Sequence, residues 1–129
     1  MASLMEELIN VLNEENEKYK ILLDLSMKKT PVLVSADLEA LASITDDEQR
    51  YVNTIASLEK KREECMKDIA NVLNKDVNEL KLDAMITMLA SRPQEQKKLA
   101  KVYDDITDTI AQMKRVNEQN KMLIESSLE

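Results

Sequence analysis

Residues 37–74 read DLEALASITDDEQRYVNTIASLEKKREECMKDIANVLN, and their spacing decides the fold. Leu38, Leu41, Thr45, Glu48, Val52, Ile55, Glu59, Arg62, Met66, Ile69 and Leu73 succeed one another at alternating steps of three and four. That is the period of a helix lying lengthwise against a neighbour, and it lacks the strict alternation of a strand. Asp37, or Ser35 just before it, supplies an N-cap. At 1.5 Å per residue, about 38 residues span roughly 57 Å. A compact domain of this size is narrower, so the molecule is expected to be elongated. The middle of the seam is polar, at Thr45, Glu48, Glu59 and Arg62. Either the contact face rotates onto Leu41, Ile44, Tyr51, Leu58 and Cys65, or a buried Glu59–Arg62 pairing fixes the register.

Working outward, residues 3–33 predict a first helix. Met5, Leu8, Leu12, Tyr19, Leu22 and Leu33 form one stripe, with Ile9 and Leu23 flanking it. Ser3 and Glu6 have capping-box spacing, and Pro31 is expected to weaken the last turn and push Thr30 away from the α region. Residues 77–90 predict a short helix that is apolar on most sides, with Asp76 and Glu79 as a capping box. Such a helix must be covered or must cover something. Either it closes the end of the bundle, or its methionines form an adaptable surface. Ser91, Pro93 and Gln94 signal the start of a last helix over 92–127. Its stripe is Leu99, Val102, Ile106, Ile110, Met113, Asn117, Asn120 and Ile124. From Asn117 onward the seam turns polar, and Met122, Leu123, Ile124 and Leu128 spread over more than one face. The tail either frays or is shaped for another chain. The expected fold is all-α: one domain over residues 1–129, an elongated antiparallel bundle of three long helices and one short one, with shallow coiled-coil-like packing.

Composition agrees and narrows the function. The chain has no glycine, where average usage near 7% gives about nine in this length. Tight reversals are therefore few, and neither a Walker loop nor a dinucleotide fingerprint can be written. Aromatic residues are 2%, all tyrosine, so Leu, Ile, Val, Met and Ala must fill a thin seam. A net charge of −7 argues against nucleic acid and anionic membranes as partners. No apolar run reaches the roughly 20 residues of a spanning helix, and no signal-peptide pattern opens the chain, so a cytoplasmic location is expected. There is no histidine, and Cys65 sits among Glu63, Glu64 and Asp68, where negative charge suppresses thiol reactivity. No cofactor, metal or small-molecule substrate is expected, and an enzyme is disfavoured.

Four stretches carry a resemblance. Three are Leu8, Leu12, Glu15, Tyr19, Leu22 and Leu23 in the first helix; Leu33 to Leu41 followed by Ile44 to Gln49; and Leu58-Glu59-Lys60-Lys61-Arg62 in the second helix. A fourth is the ending Asn117-x-x-Asn120-x-x-Leu123-Ile124-x-x-Ser127-Leu128. Together, in this order, the chain resembles the FlgN-type flagellar export chaperones over essentially its whole length. The resemblance implies a chaperone that binds the C-terminal helical segments of hook-associated proteins 1 and 3. It would keep them unassembled and deliver them to the flagellar type III export machinery. It also implies that the binding region lies near the C-terminus, mapping onto Asn117, Asn120, Leu123, Ile124 and Leu128. The alternative is a generic coiled-coil scaffold without a secretion role, motivated by the long seams alone.

Overall fold

The computed structural model describes residues 2–127. Four helices follow in order: α1 (Ala2–Ser35), α2 (Leu38–Leu73), α3 (Leu82–Met88) and α4 (Pro93–Ser127). No strand occurs among the described residues. The three long helices have 34, 36 and 35 residues, which at 1.5 Å each makes rods of about 50 Å. This is the elongated all-α bundle that the seams predict.

Cross-helix hydrogen bonds give the directions. From α1 to α2, Glu15 meets Arg62, Tyr19 meets Glu59 and Ser26 meets Glu48, so the two run antiparallel. From α1 to α4, Asn16 meets Thr109 and Ser26 meets Asn120, so these run parallel. α1 is the central rod, packed against both others, while among the described residues no Cα of α2 lies within 8 Å of one in α4. One end of the molecule, here called the base, holds the start of α1, the end of α2, α3 and the start of α4. The opposite end, the tip, holds the α1–α2 corner and the end of α4.

Both reversals that close a long helix use a left-handed residue other than glycine. Ala36 (φ 56°) follows α1 and Asn74 (φ 54°) follows α2. The Asp37 N–H donates to the Val32 carbonyl at 3.3 Å, and the Lys75 N–H to the Ala70 carbonyl at 2.9 Å. Both are the six-to-one bond of a Schellman ending. Asp37 then caps α2, its carboxylate accepting from the Ala40 N–H at 3.1 Å.

Three local expectations change. α1 runs through Pro31 to Ser35 with Thr30 helical. Proline removes one donor there, and Pro31 and Met27 are both exposed, so the orphaned Met27 carbonyl can meet water. The short helix begins at Leu82 rather than 77, because the Asp76 carboxylate accepts from the Asn78 N–H at 2.9 Å in a local turn instead of capping a helix. At α4, Pro93 is the first helical residue, and Arg92, not Ser91, occupies the cap position.

The apolar core is concentrated at the base. Met5, Leu8 and Leu12 of α1, Ile69 of α2, Met85 of α3 and Leu99 of α4 are all essentially inaccessible and belong to one cluster. α3, with Leu80 and Leu89 on either side, closes this end, as one of the two sequence expectations held. Its Met88 remains 41% exposed, beside a small apolar pocket of about 150 Å³ that Met5, Leu73 and Arg92 also line.

Candidate partner-binding site

Away from the base, polar groups replace apolar ones between the helices. Arg62 of α2 reaches α1 and donates to Glu15 at 3.1 Å, and Glu15 is fully buried. Burial pushes the Glu15 carboxyl above its ordinary range, Arg62 opposes this, and Glu59 adds to it. Glu59 in turn accepts from the Tyr19 hydroxyl at 3.1 Å. Burial first, then Glu59, pushes that phenol up to about 12. Of the two sequence readings of this seam the rotated contact face holds, with Leu41, Ile44 and Tyr51 half-buried, and the Glu59–Arg62 pairing does not: each of those residues grips α1 instead. Leu58 and Cys65 are buried beside them, as the rotated contact face anticipated. Cys65 itself is enclosed, and burial together with Glu7 raises its thiol.

About two turns further on, all three rods meet at Ser26. Its hydroxyl donates to Glu48 of α2 at 3.4 Å, and its carbonyl accepts from the Asn120 amide of α4 at 2.9 Å. Thr30 donates to the Asn120 side-chain oxygen at 2.7 Å, and Lys29 reaches Glu48 at 3.0 Å. Buried polar groups demand partners, and this cluster satisfies them only if α4 sits in one register on α1.

On the flanks beside these bonds the cover runs out toward the tip. On α2, the row Leu38, Thr45, Val52, Glu59, Met66 and Leu73 repeats every seven residues. Met66 and Leu73 pack on the base core, whereas Val52 is 45% exposed, Thr45 is exposed and Leu38 is 76% exposed. On α4, Leu99, Val102 and Ile106 are buried, Ile110 and Met113 are half-buried, and Asn117 and Ile124 are exposed. Two outer clefts show how these rows face. The α1–α2 cleft is lined by Lys61, Glu64, Cys65 and Asp68 of α2, and the α1–α4 cleft by Lys98 and Lys101 of α4. Those flanks look away from the third rod. By helical phase the opposite flanks, Leu38–Thr45–Val52 and Ile110–Asn117–Ile124, look toward one another across α1. Their exposure means that toward the tip α2 and α4 border a groove floored by α1.

The five residues singled out in the sequence divide accordingly. Asn117 and Ile124 lie on the groove-facing flank of α4 and are exposed. Leu123 is half-buried on the other flank, in the row of Val102 and Thr109. Asn120 lies between the flanks and is buried, with both ends of its amide used by α1, so its position is that of a tether and not of an exposed contact. Leu128 lies outside the described residues. The α2 side of the groove, Leu38 and Val52, was not singled out. Its signal was the heptad row itself, whose tip half stays exposed.

Comparison with known proteins follows this geometry. The family model described as FlgN protein matches residues 1–129. The chain belongs to the FlgN family. That family is one of flagellar export chaperones. The chain is also similar to an uncharacterized protein, YvyG, of Bacillus subtilis (strain 168), at 28% identity over 108 residues. The match covers 84% of this chain and 64% of that relative's length, so the chain spans under two thirds of it. No solved structure gives a significant match. Among the described residues, no helix of this FlgN-family chain is long and apolar enough to cross a membrane.

Proposed function

We propose that this FlgN-family protein is a cytoplasmic chaperone that holds the C-terminal helical segments of hook-associated proteins 1 and 3 and passes them to the flagellar type III export apparatus. The observation that carries this reading is the loss of cover toward the tip. Leu38 and Val52 continue the row of Met66 and Leu73, and Ile124 that of Ile110, all half-buried against the base core, yet toward the tip they meet solvent. An amphipathic helix laid in that groove would bury them, which is how helix-in-groove recognition works. Asn117 and Ile124 are the proposed groove contacts on α4; Leu123 on its other flank and Leu128, outside the described residues, are proposed contacts from the resemblance, with Asn120 holding the tail in register from within.

Calorimetry with peptides from the C-termini of the two hook-associated proteins tests the proposal. Saturable binding with a raised Tm is the expected result. No heat and no stabilisation with either peptide would sink it. A generic scaffold instead uses its uncovered rows on its own copies, so sedimentation of the free chain as an obligate oligomer would favour that reading.

A further inference from the structure

The rims of the tip groove differ in charge, and that difference selects an occupant. One row outward from Ile110 and Asn117 on α4 come Lys114 and Lys121, each four residues further on and both exposed. Neither makes an ion pair among the described residues. Glu118 and Glu125 sit a further row out, on the solvent face. On α2 the corresponding row, four residues beyond Leu38, Thr45 and Val52, is Ala42, Gln49 and Ala56, exposed and without charge. Two alanines let a helix approach α2 closely, since interaxial distance follows the side chains at the contact. A guest seated toward α2 presents its other edge to Lys114 and Lys121, which are one heptad apart.

We infer that the groove takes an amphipathic helix bearing carboxylates along one edge at heptad spacing, and that Lys114 and Lys121 read that edge. This rests on the guest-binding reading above and adds the guest's charge pattern and the two residues that select it. The lysines gain by pairing in the partly desolvated border of the groove, and like charges there repel. The chain's net charge of −7 favours a basic guest at long range, but at physiological salt that field is screened beyond about 8 Å. Local edge and global charge therefore predict opposite preferences.

The test uses the full chain and two designed helical peptides that share one leucine stripe. One carries Glu and the other Lys along the same flanking edge. Fluorescence anisotropy should show the Glu-edged peptide binding at least about fivefold tighter. The Lys114→Glu, Lys121→Glu variant, checked for unchanged helicity and Tm, should invert that order. Failure of both peptides to bind, equal affinities, preference of the unaltered chain for the Lys-edged peptide, or an unchanged order in the variant would each overturn the inference. A hook-associated C-terminal peptide is the separating arm. If it binds while the designed pair shows no edge preference, the chaperone reading stands and the lysine edge falls. If the edge preference appears and inverts while that peptide does not bind, the lysine edge stands and the named guests fall.

Discussion

The side-chain amide of Asn120 donates to the backbone carbonyl of Ser26 at 2.9 Å, joining residues 94 positions apart. With Thr30 donating to the same side chain at 2.7 Å, this ties the far half of α4 to α1. Asn120→Ala should cost about 2 kcal/mol, because it removes two hydrogen bonds that join α4 to α1. Urea denaturation measures the loss. Faster amide exchange confined to residues 121–127 shows where it falls, and uniform exchange would count against a tether.

Glu15 and Arg62 make stability depend on pH in a defined direction. Burial raises the Glu15 carboxyl in the folded chain, so between the unfolded and folded values the folded state holds the extra proton. Stability from this group is then greatest on the acid side, falls as pH rises through that window, and stays lowered above it. Relative to Glu15→Gln, the unaltered chain should therefore lose stability with rising pH, in urea melts from about pH 4 to 8. Arg62→Met should cost about 3 kcal/mol at neutral pH by leaving the carboxylate unpaired, and less in acid.

Tyr19 can be followed directly, because the chain has three tyrosines and no tryptophan. Its phenol is held near 12 by burial and Glu59. Alkaline titration at the phenolate absorbance should show one tyrosine ionising late, and Tyr19→Phe should remove that phase. Since the folded phenol keeps its proton after the unfolded one has lost it, stability falls as pH climbs from about 10 toward 12.

Ala36 occupies a left-handed conformation at the end of α1. That conformation costs a residue with a Cβ about 1–2 kcal/mol, part of which glycine would give back in chain entropy. Ala36→Gly should raise stability by about 1 kcal/mol, seen as a Tm several degrees higher. A lowered Tm would show that the corner is held by something besides backbone preference.

Leu123→Asp combined with Ile124→Asp should abolish guest binding with little change in circular dichroism. Both side chains lie beyond the Asn120 link and outside the base core. Unchanged affinity for a hook-associated peptide would move the site to another part of the groove.

The seam of α2 was legible because Ile55 and Ile69 fall on the predicted row and are buried. Helix class, number and order followed from the same spacing. Pro31 was misjudged because propensity rules weigh the lost donor without knowing that the orphaned carbonyl is exposed. The α3 boundary was misjudged because Asp76 fits two local turns, and spacing alone does not choose. Asn120 was placed among the partner contacts by the resemblance, and nothing in the seam announced its burial. Its partners, Ser26 and Thr30, lie some 90 positions away, and no local pattern announces them. The α2 wall of the groove was hidden in plain periodicity: Leu38 and Val52 fit the row as well as Met66 does, and only the base core packed on Met66 separates them.

The base-heavy distribution of the core gives the rod a graded stiffness. Melting would begin at the corner near Ala36 and at the free end of α4, then stall where Met5, Met85 and Leu99 interlock. A visitor wedged at the soft end could be shed by loosening a few turns, leaving the rest of the molecule intact and ready to accept the next.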